Sequence, residues 1–277
     1  MRKLVVVSIT IFGLAGMFLV QSSAQGRGQG RGGQAAPPQQ LGGRVGQVQV
    51  GGSPTVSDAD AAGPVPRLPD GKPDLTGPWV GGGSNADIER DGGLKPGELP
   101  LQPWAKDVRD KRKAEEEPYT ACLPMSVPRV NPYPWKFAMT YTSKGLTHIY
   151  ILHETGDAGA HRVVYMDGRK HPEDALPTWW GHSIGRWEGE TLVIDTIAFA
   201  PHPVGISVGV PSGPRKHLVE RLTLAADKRH LRYEMTLEDP AGLTGPAETS
   251  MQWDYRPDLE PSGVACDPEA ARRVLRE

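Results

Sequence analysis

Four side chains in the second half of the sequence have the types and settings for proton-transfer chemistry: His182, Asp195, His217 and Glu220. Imidazoles and carboxylates give and take protons near neutral pH when burial or a neighbouring charge moves their pKa values. Residues 217–225 read HLVERLTLA. In an extended chain Leu218, Leu222 and Leu224 share a face with Glu220, while His217, Val219, Arg221 and Thr223 take the other. A carboxylate among three leucines is either paired with a cation or pushed toward its neutral form. Asp195 is set similarly, with Val193, Ile197 and Phe199 on its face and Leu192 and Ile194 on the other. A carboxylate in that setting can orient a histidine or an arginine.

His182 alternates with Trp180, Ile184 and Arg186 one strand earlier. A turn at Glu188-Gly189 lays that strand beside the one carrying Asp195, and the register decides whether the two share a face. Together the four groups suit isomerase, lyase or hydrolase chemistry. Nucleophilic hydrolysis finds no support, because there is no GxSxG elbow. Ser183 and His182, adjacent on a strand, point to opposite faces. Arg129 ends the proline-stiffened segment CLPMSVPR (residues 122–129). It is either a fixed guanidinium clamp for a ligand or the partner of Glu220 or Asp195. Tyr150, Trp180 and Trp187 are the aromatic candidates for lining a ligand pocket. His148, His153 and His161 lack compact metal spacing, and no HExxH or cysteine cluster occurs, so neither a metal nor a cofactor is expected. His230 falls on the polar face of its strand and reads as a solvent histidine.

The elements that must position these groups read as strands. Segments 135–141 and 146–153 flank a Ser143-Lys144-Gly145 turn. Further strands are expected at 162–166, 180–187, 191–199, 217–225, 230–238 and 248–255. Four prolines and three glycines make 201–216 a long loop. A surface helix is expected at 101–117, with Trp104 and Val108 facing inward and Pro118 ending it. A short C-terminal helix is expected at 267–276, capped by Asp267 with Pro268 in its first turn. The fold class is therefore mainly β: an antiparallel meander closing into a barrel, lipocalin-like in general shape, or folding into a sandwich.

Residues 1–24 read as a secretory signal: Arg2 and Lys3, a largely apolar stretch at 4–20, then Ser22-Ser23-Ala24. Residues 25–63 are rich in Gly, Gln, Ala and Pro and read as a disordered linker. Residues 64–277 form a single β-rich domain. The expected location is periplasmic or extracellular, with no membrane span once the signal is cleaved. Removing Arg2 and Lys3 takes the formal charge from -2 to -4, which offers no electrostatic footprint for nucleic acid. The two cysteines, Cys122 and Cys266, are expected to pair in an exported chain. In the chain-entropy view, closing so long a loop is worth about 4 kcal/mol.

Several stretches together resemble a group of uncharacterised secreted bacterial proteins. They are LPDGKPDLTGPW (68–79), PYTACLPMSVPR (118–129), YMDGRKHPEDALPTWWGHSIGRWEGETLVIDT (165–196), HLVERL (217–222) and the segment around Cys266. The resemblance spans most of residues 66–268 and implies no established reaction, so it transfers no catalytic role. The sequence departs from that group's pattern at 197–217, where Ala198-Phe199-Ala200 replaces a polar turn and Pro211-Ser212 replaces a Pro-His step. Gly185-x-Trp187 resembles lipocalin-like barrels and inclines the fold toward a barrel. The expected function is an exported domain whose pocket binds a small, partly apolar or aromatic ligand. The alternatives are an acid–base enzyme using the four groups above, and a secreted protein-interaction module reached by its tether.

Overall fold

Alternating apolar and polar residues along most of the chain produce strands with one face for a core and one for solvent. In the computed structural model residues 58–81, 87–113, 116–129, 134–153, 161–259 and 267–269 are described. The strands are β1 (Trp79–Gly81), β2 (Trp135–Thr142), β3 (Gly145–His153), β4 (His161–Tyr165), β5 (His182–Glu188), β6 (Thr191–Ile197), β7 (His202–Ser207), β8 (Val210–Ser212), β9 (His217–Leu224), β10 (His230–Glu238) and β11 (Ala247–Tyr255). Short helices form at α1 (Asp58–Ala62), α2 (Ile88–Asp91) and α3 (Pro103–Lys111).

Nine strands close into a barrel in the order β1-β11-β10-β9-β6-β5-β4-β3-β2. Closure rests on β1, where Trp79 pairs with Tyr255 on one side and with Trp135 on the other. The closing strand begins at Trp79, directly after the proline- and glycine-rich segment 67–78. Two other features depart from a plain meander. Strands β4 and β5 are parallel, because the long connection between them returns the chain to the same end. The expected loop at 201–216 contains β7 and β8, which pair with each other in a separate two-stranded sheet. This excursion explains why β6 and β9, not consecutive in sequence, are direct neighbours.

The turn after β5 is a two-residue connection, with Glu188 paired to Thr191 and Gly189 at φ +61°. A positive φ at the first turn position matches the right-handed twist of a tight hairpin, and glycine adopts it without steric cost. Helix α3 is shorter than the expected 101–117, and Pro118 opens a 3₁₀ turn (Pro118–Ala121) instead of ending an α-helix. Ala105 is its buried residue, while Trp104 is 48% exposed and its indole donates to the Ala241 carbonyl. Trp104 lies across the turn at 240–242 instead of entering the core. Of the expected C-terminal helix only 267–269 is described, and there Asp267 accepts from the Glu269 amide as a cap should. The expected Cys122–Cys266 bond involves Cys266, which lies outside the described residues. The expected signal and nearly all of the linker lie outside them too; Asp58–Ala62, at the end of the linker, is helical.

The barrel interior is packed with aromatic rings. Trp135 meets Trp253 edge-on at 4.5 Å, and Tyr233 stacks on Trp253 at 4.3 Å. Among these rings lies a buried ion pair. Glu220, on the inner face of β9 as its leucine neighbours require, accepts from Arg162 Nη1 at 3.1 Å and Nη2 at 2.6 Å, and from the Tyr233 hydroxyl at 2.9 Å. Arg162 and Glu220 are 1% and 2% exposed. Burial of His153 beside them, with the Arg162 charge adding to it, pulls its imidazolium down to about 3, so the ring is neutral at physiological pH. The space left between these side chains is about 10 Å³, room for one water at most. Around the ion pair the described side chains fill the interior.

Two buried charges cost several kcal/mol each to desolvate, and their mutual attraction offsets this only while both are present. Arg162→Met should therefore destabilise the fold by about 3–5 kcal/mol. Arg162→Met/Glu220→Met should recover most of that loss. Urea unfolding monitored by tryptophan fluorescence distinguishes the two; equal losses in the single and double variants would contradict the pairing.

Candidate acid–base site

The outer face of the barrel carries the other polar groups. Asp195 pairs in register with Val219, and Thr196 with Leu218, so His217 is the diagonal neighbour of Asp195 on the outer face. His182 pairs with Ile197, which makes it the diagonal neighbour of Asp195 on the opposite side. Diagonal positions lie about 7–8 Å apart, within reach of long side chains but too far for direct contact of short ones. His217 spans its gap, with Nε2 2.9 Å from Asp195 Oδ1. The gap to His182 is filled by His171, from the loop between β4 and β5. Its Nε2 lies 3.3 Å from the same Asp195 oxygen and its Nδ1 2.8 Å from His182 Nδ1.

The proton positions follow from the chemistry of the groups. An ionised carboxylate only accepts, so both Nε2 atoms facing Asp195 carry protons. When His171 is neutral its Nδ1 offers a lone pair, and His182 donates its Nδ1 proton to it. In that state the lone pair of His182 lies at Nε2. Asp195 thus sets the tautomer of His171, and His171 sets that of His182.

The electrostatics separate the two outer histidines. The hydrogen bond and charge of Asp195, with Glu238 contributing from 3.4 Å, raise the pKa of His217 above its ordinary value. Burial, then the neighbouring His171 and Arg169 charges, lowers that of His182. The hydrogen bond from His217 lowers the pKa of Asp195, despite partial burial. Opposed shifts on neighbouring titratable groups are the arrangement by which a site holds an acid and a base at one pH.

Local structure holds these strands in place. Gly181, just before His182, has φ +70°, and a Cβ there would lie 2.7 Å from the Ile197 carbonyl. Lys216, just before His217, is buried, and its Nζ donates to Ser126 Oγ, the Val127 carbonyl and the Gly205 carbonyl at 2.8–2.9 Å. Ser126 Oγ in turn donates to the Trp179 carbonyl at 2.6 Å. One ammonium therefore ties the start of β9, the 122–129 segment, β7 and the approach to β5 together. Burial pulls the pKa of Lys216 down to about 7, although three acceptors around Nζ suit the charged form with its three protons. His202 is fixed nearby, donating to the Pro124 carbonyl through Nε2 and accepting from the Val204 amide.

Three of the four expected acid–base residues, His182, Asp195 and His217, come together. Glu220 does not, since its side chain points into the barrel. Arg129 pairs with neither Glu220 nor Asp195; it is buried and pairs with Glu117 at 2.7 Å. Tyr150 lies on the outer face, stacked beside His148 at 6.1 Å. Trp180 lies flat on His153 at 5.5 Å. Trp187 packs against the core at the other end of β5, with the Lys72 ammonium 5.9 Å from its ring. The aromatic candidates therefore do not line one site. His171 escaped the sequence reading because it belongs to no strand; its only signal is a polar loop, DGRKHP, between two strands. Among the described residues no group of three or more His, Cys, Asp or Glu is arranged to hold a metal ion. The large exposed hydrophobics there, Trp104, Leu123 and Leu176, are scattered through the sequence. No helix among the described residues is long and apolar enough to cross a membrane.

Comparison with known proteins gives no match to a family model, a curated protein or a solved structure.

The shifts have a measurable sign. His217 should titrate above the ordinary imidazole value of 6.5 and His182 below it, as read from imidazole Cε1–H chemical shifts. The stability contributed by His217 is fully present below the unfolded pKa and is lost as pH rises through the higher folded value. His217→Asn should therefore lower stability at pH 6 more than at pH 9. Asp195 contributes the reverse case, stability present above 3.8 and lost as pH falls through its lower folded pKa. Asp195→Asn should abolish the elevation of the His217 pKa; an unchanged His217 titration would contradict the assigned bond.

Proposed function

We propose that this protein performs general acid–base chemistry on a small, partly apolar molecule, with His182 Nε2 as the base. The observation that carries this reading is the hydrogen-bonded series Asp195–His171–His182. It leaves one imidazole lone pair unused and offers a path that delocalises the positive charge gained when His182 takes a proton. His217, whose pKa Asp195 and Glu238 raise, is the complementary acid. Isomerisation or elimination, in which a proton leaves one atom and another is returned, suits this pairing better than nucleophilic hydrolysis.

The test is solvent deuterium incorporation. The protein is incubated in D₂O with a panel of aryl ketones, unsaturated lactones and keto acids, and exchange at acidic C–H positions is followed by NMR. His182→Ala should slow exchange by about 10²–10⁴-fold, and His171→Ala should slow it less. Exchange that is no faster than in buffer, or equal in wild type and His182→Ala, would sink the proposal.

A second reading, binding without turnover, draws on a different place. Trp79, Leu224, Tyr255, Pro66 and Pro257 line a cleft of about 380 Å³ with Asp74 and Lys228 at its polar edge. Its size is that of a small-ligand site. Under this reading Leu224→Arg abolishes ligand retention and His182→Ala leaves it intact.

Export and the cross-link belong to the same proposal. Mature protein recovered outside the cytoplasm should begin at Gln25. Non-reducing peptide mapping should recover Cys122 and Cys266 in one linked species. Two alkylated thiols in the native protein would rule out the disulfide.

A further inference from the structure

The surroundings of His182 carry a selectivity of their own. Tyr165, on the outer face of β4, stacks on the His182 ring at 5.1 Å with an interplanar angle of 22°. His148 meets Tyr165 edge-on at 5.4 Å, and Tyr150 follows at 6.1 Å from His148. Four rings thus form a row across β3, β4 and β5, offering the π faces and edges on which flat molecules pack. At the His182 end of this row lies Arg169. Its guanidinium carbon is 4.0 Å from the centre of the Tyr165 ring. Its Nε and Nη2 are held by the Asp167 carboxylate at 2.5–3.1 Å. Only one edge of the planar group is used. Nη1 has no hydrogen-bond partner among the described residues, and the side chain is 42% exposed. A guanidinium fixed by stacking and by one carboxylate has lost most of its freedom already, so a second carboxylate meets a pre-organised donor.

Charge decides the sign of the ligand. The nearest base is neutral, Asp195 Oδ1 already accepts from two histidines, and the unsatisfied donor is cationic. A ligand ammonium would face the Arg169 guanidinium, with Asp195 and Asp167 already engaged. An anion would complete the guanidinium.

We infer that the site around His182 takes a small planar carboxylate, its anionic group on Arg169 Nη1 and its flat body against the row of rings. This rests on the acid–base reading only for what happens after binding. Held in this way, an aromatic or unsaturated acid presents its body to His182, and the guanidinium stabilises negative charge that develops as a proton leaves. Arg169 is a binding and specificity residue in this scheme, and His182 remains the base.

The test uses the full chain with benzoate and its neutral isostere benzamide, titrated to millimolar concentrations while the His171 and His182 imidazole signals are followed by NMR. Benzoate should shift both signals and raise the pKa of His182; benzamide should do neither. Because Arg169→Met alone would leave Asp167 unpaired, the comparison is between Asp167→Asn and Asp167→Asn/Arg169→Met. The first should bind benzoate at least as tightly as wild type. The second should bind at least about tenfold more weakly, the size expected for one lost charge-assisted hydrogen bond. Circular dichroism and urea unfolding of both variants exclude a collapsed fold as the cause. Equal affinities in the two variants, benzamide binding as tightly as benzoate, or histidine signals unmoved by benzoate would each overturn the assignment. His182→Ala separates the two proposals. If it keeps benzoate binding, read at His171, but leaves deuterium exchange unchanged, the base reading fails and the carboxylate site stands.

Discussion

The ion pair between Arg162 and Glu220 constrains everything around it. Two charges at the centre of a closed barrel are tolerable only if each finds the other, with further hydrogen bonds taking up the remaining capacity. The pair bridges β4 and β9, strands well separated in sequence and three places apart around the sheet, with β5 and β6 between them. It therefore ties the in–out orientation of those four strands together. Sliding β9 by one residue would expel Glu220 and bury His217 and Val219 in its place. The cost of an unpaired buried charge is thus also a penalty against the wrong register.

That register places the acid–base groups on the outside. With Glu220 inward, its neighbours Val219 and Arg221 point outward, and so does His217. The same alternation on β6 puts Ile194 inward and Asp195 outward. The outer groups are organised by hydrogen bonds instead of by packing, and a loop residue is needed to complete them. His171 enters because diagonal positions on adjacent strands leave a gap that neither Asp195 nor His182 closes alone. Lys216 anchors the start of β9 from below, so one buried ammonium and one buried ion pair hold the two flanks of the site.

Trp135, Trp253, Tyr233 and Phe137 pack the described part of the interior around the Arg162–Glu220 pair. The titratable and aromatic groups of the candidate site lie on the outer face, where rings from three strands and the loop carrying Arg169 and His171 assemble. Groups there have less shelter from water than in a cavity, and they are held in place by one another. Arg169 is stacked and paired, His182 is fixed in its tautomer, and Asp195 is engaged by two donors.

Sequence alone determined the alternation of the strands, hence the mainly β class, the inward Glu220 and the outward His217. It also determined the hairpin at Gly189, since a two-residue turn with glycine at positive φ is a local property of the chain. These are effects between residues a few positions apart, which periodicity records. Tertiary structure decided barrel closure through Trp79, the parallel β4–β5 contact, the partner of Glu220, and the meeting of His171 with His182. It also parted Glu220 from the three residues it was grouped with, and it gave Arg129 to Glu117. Each of these joins segments far apart in sequence. The free energy of such contacts depends on strand order, register and the direction of side chains across the sheet, and these come into being only when the barrel closes.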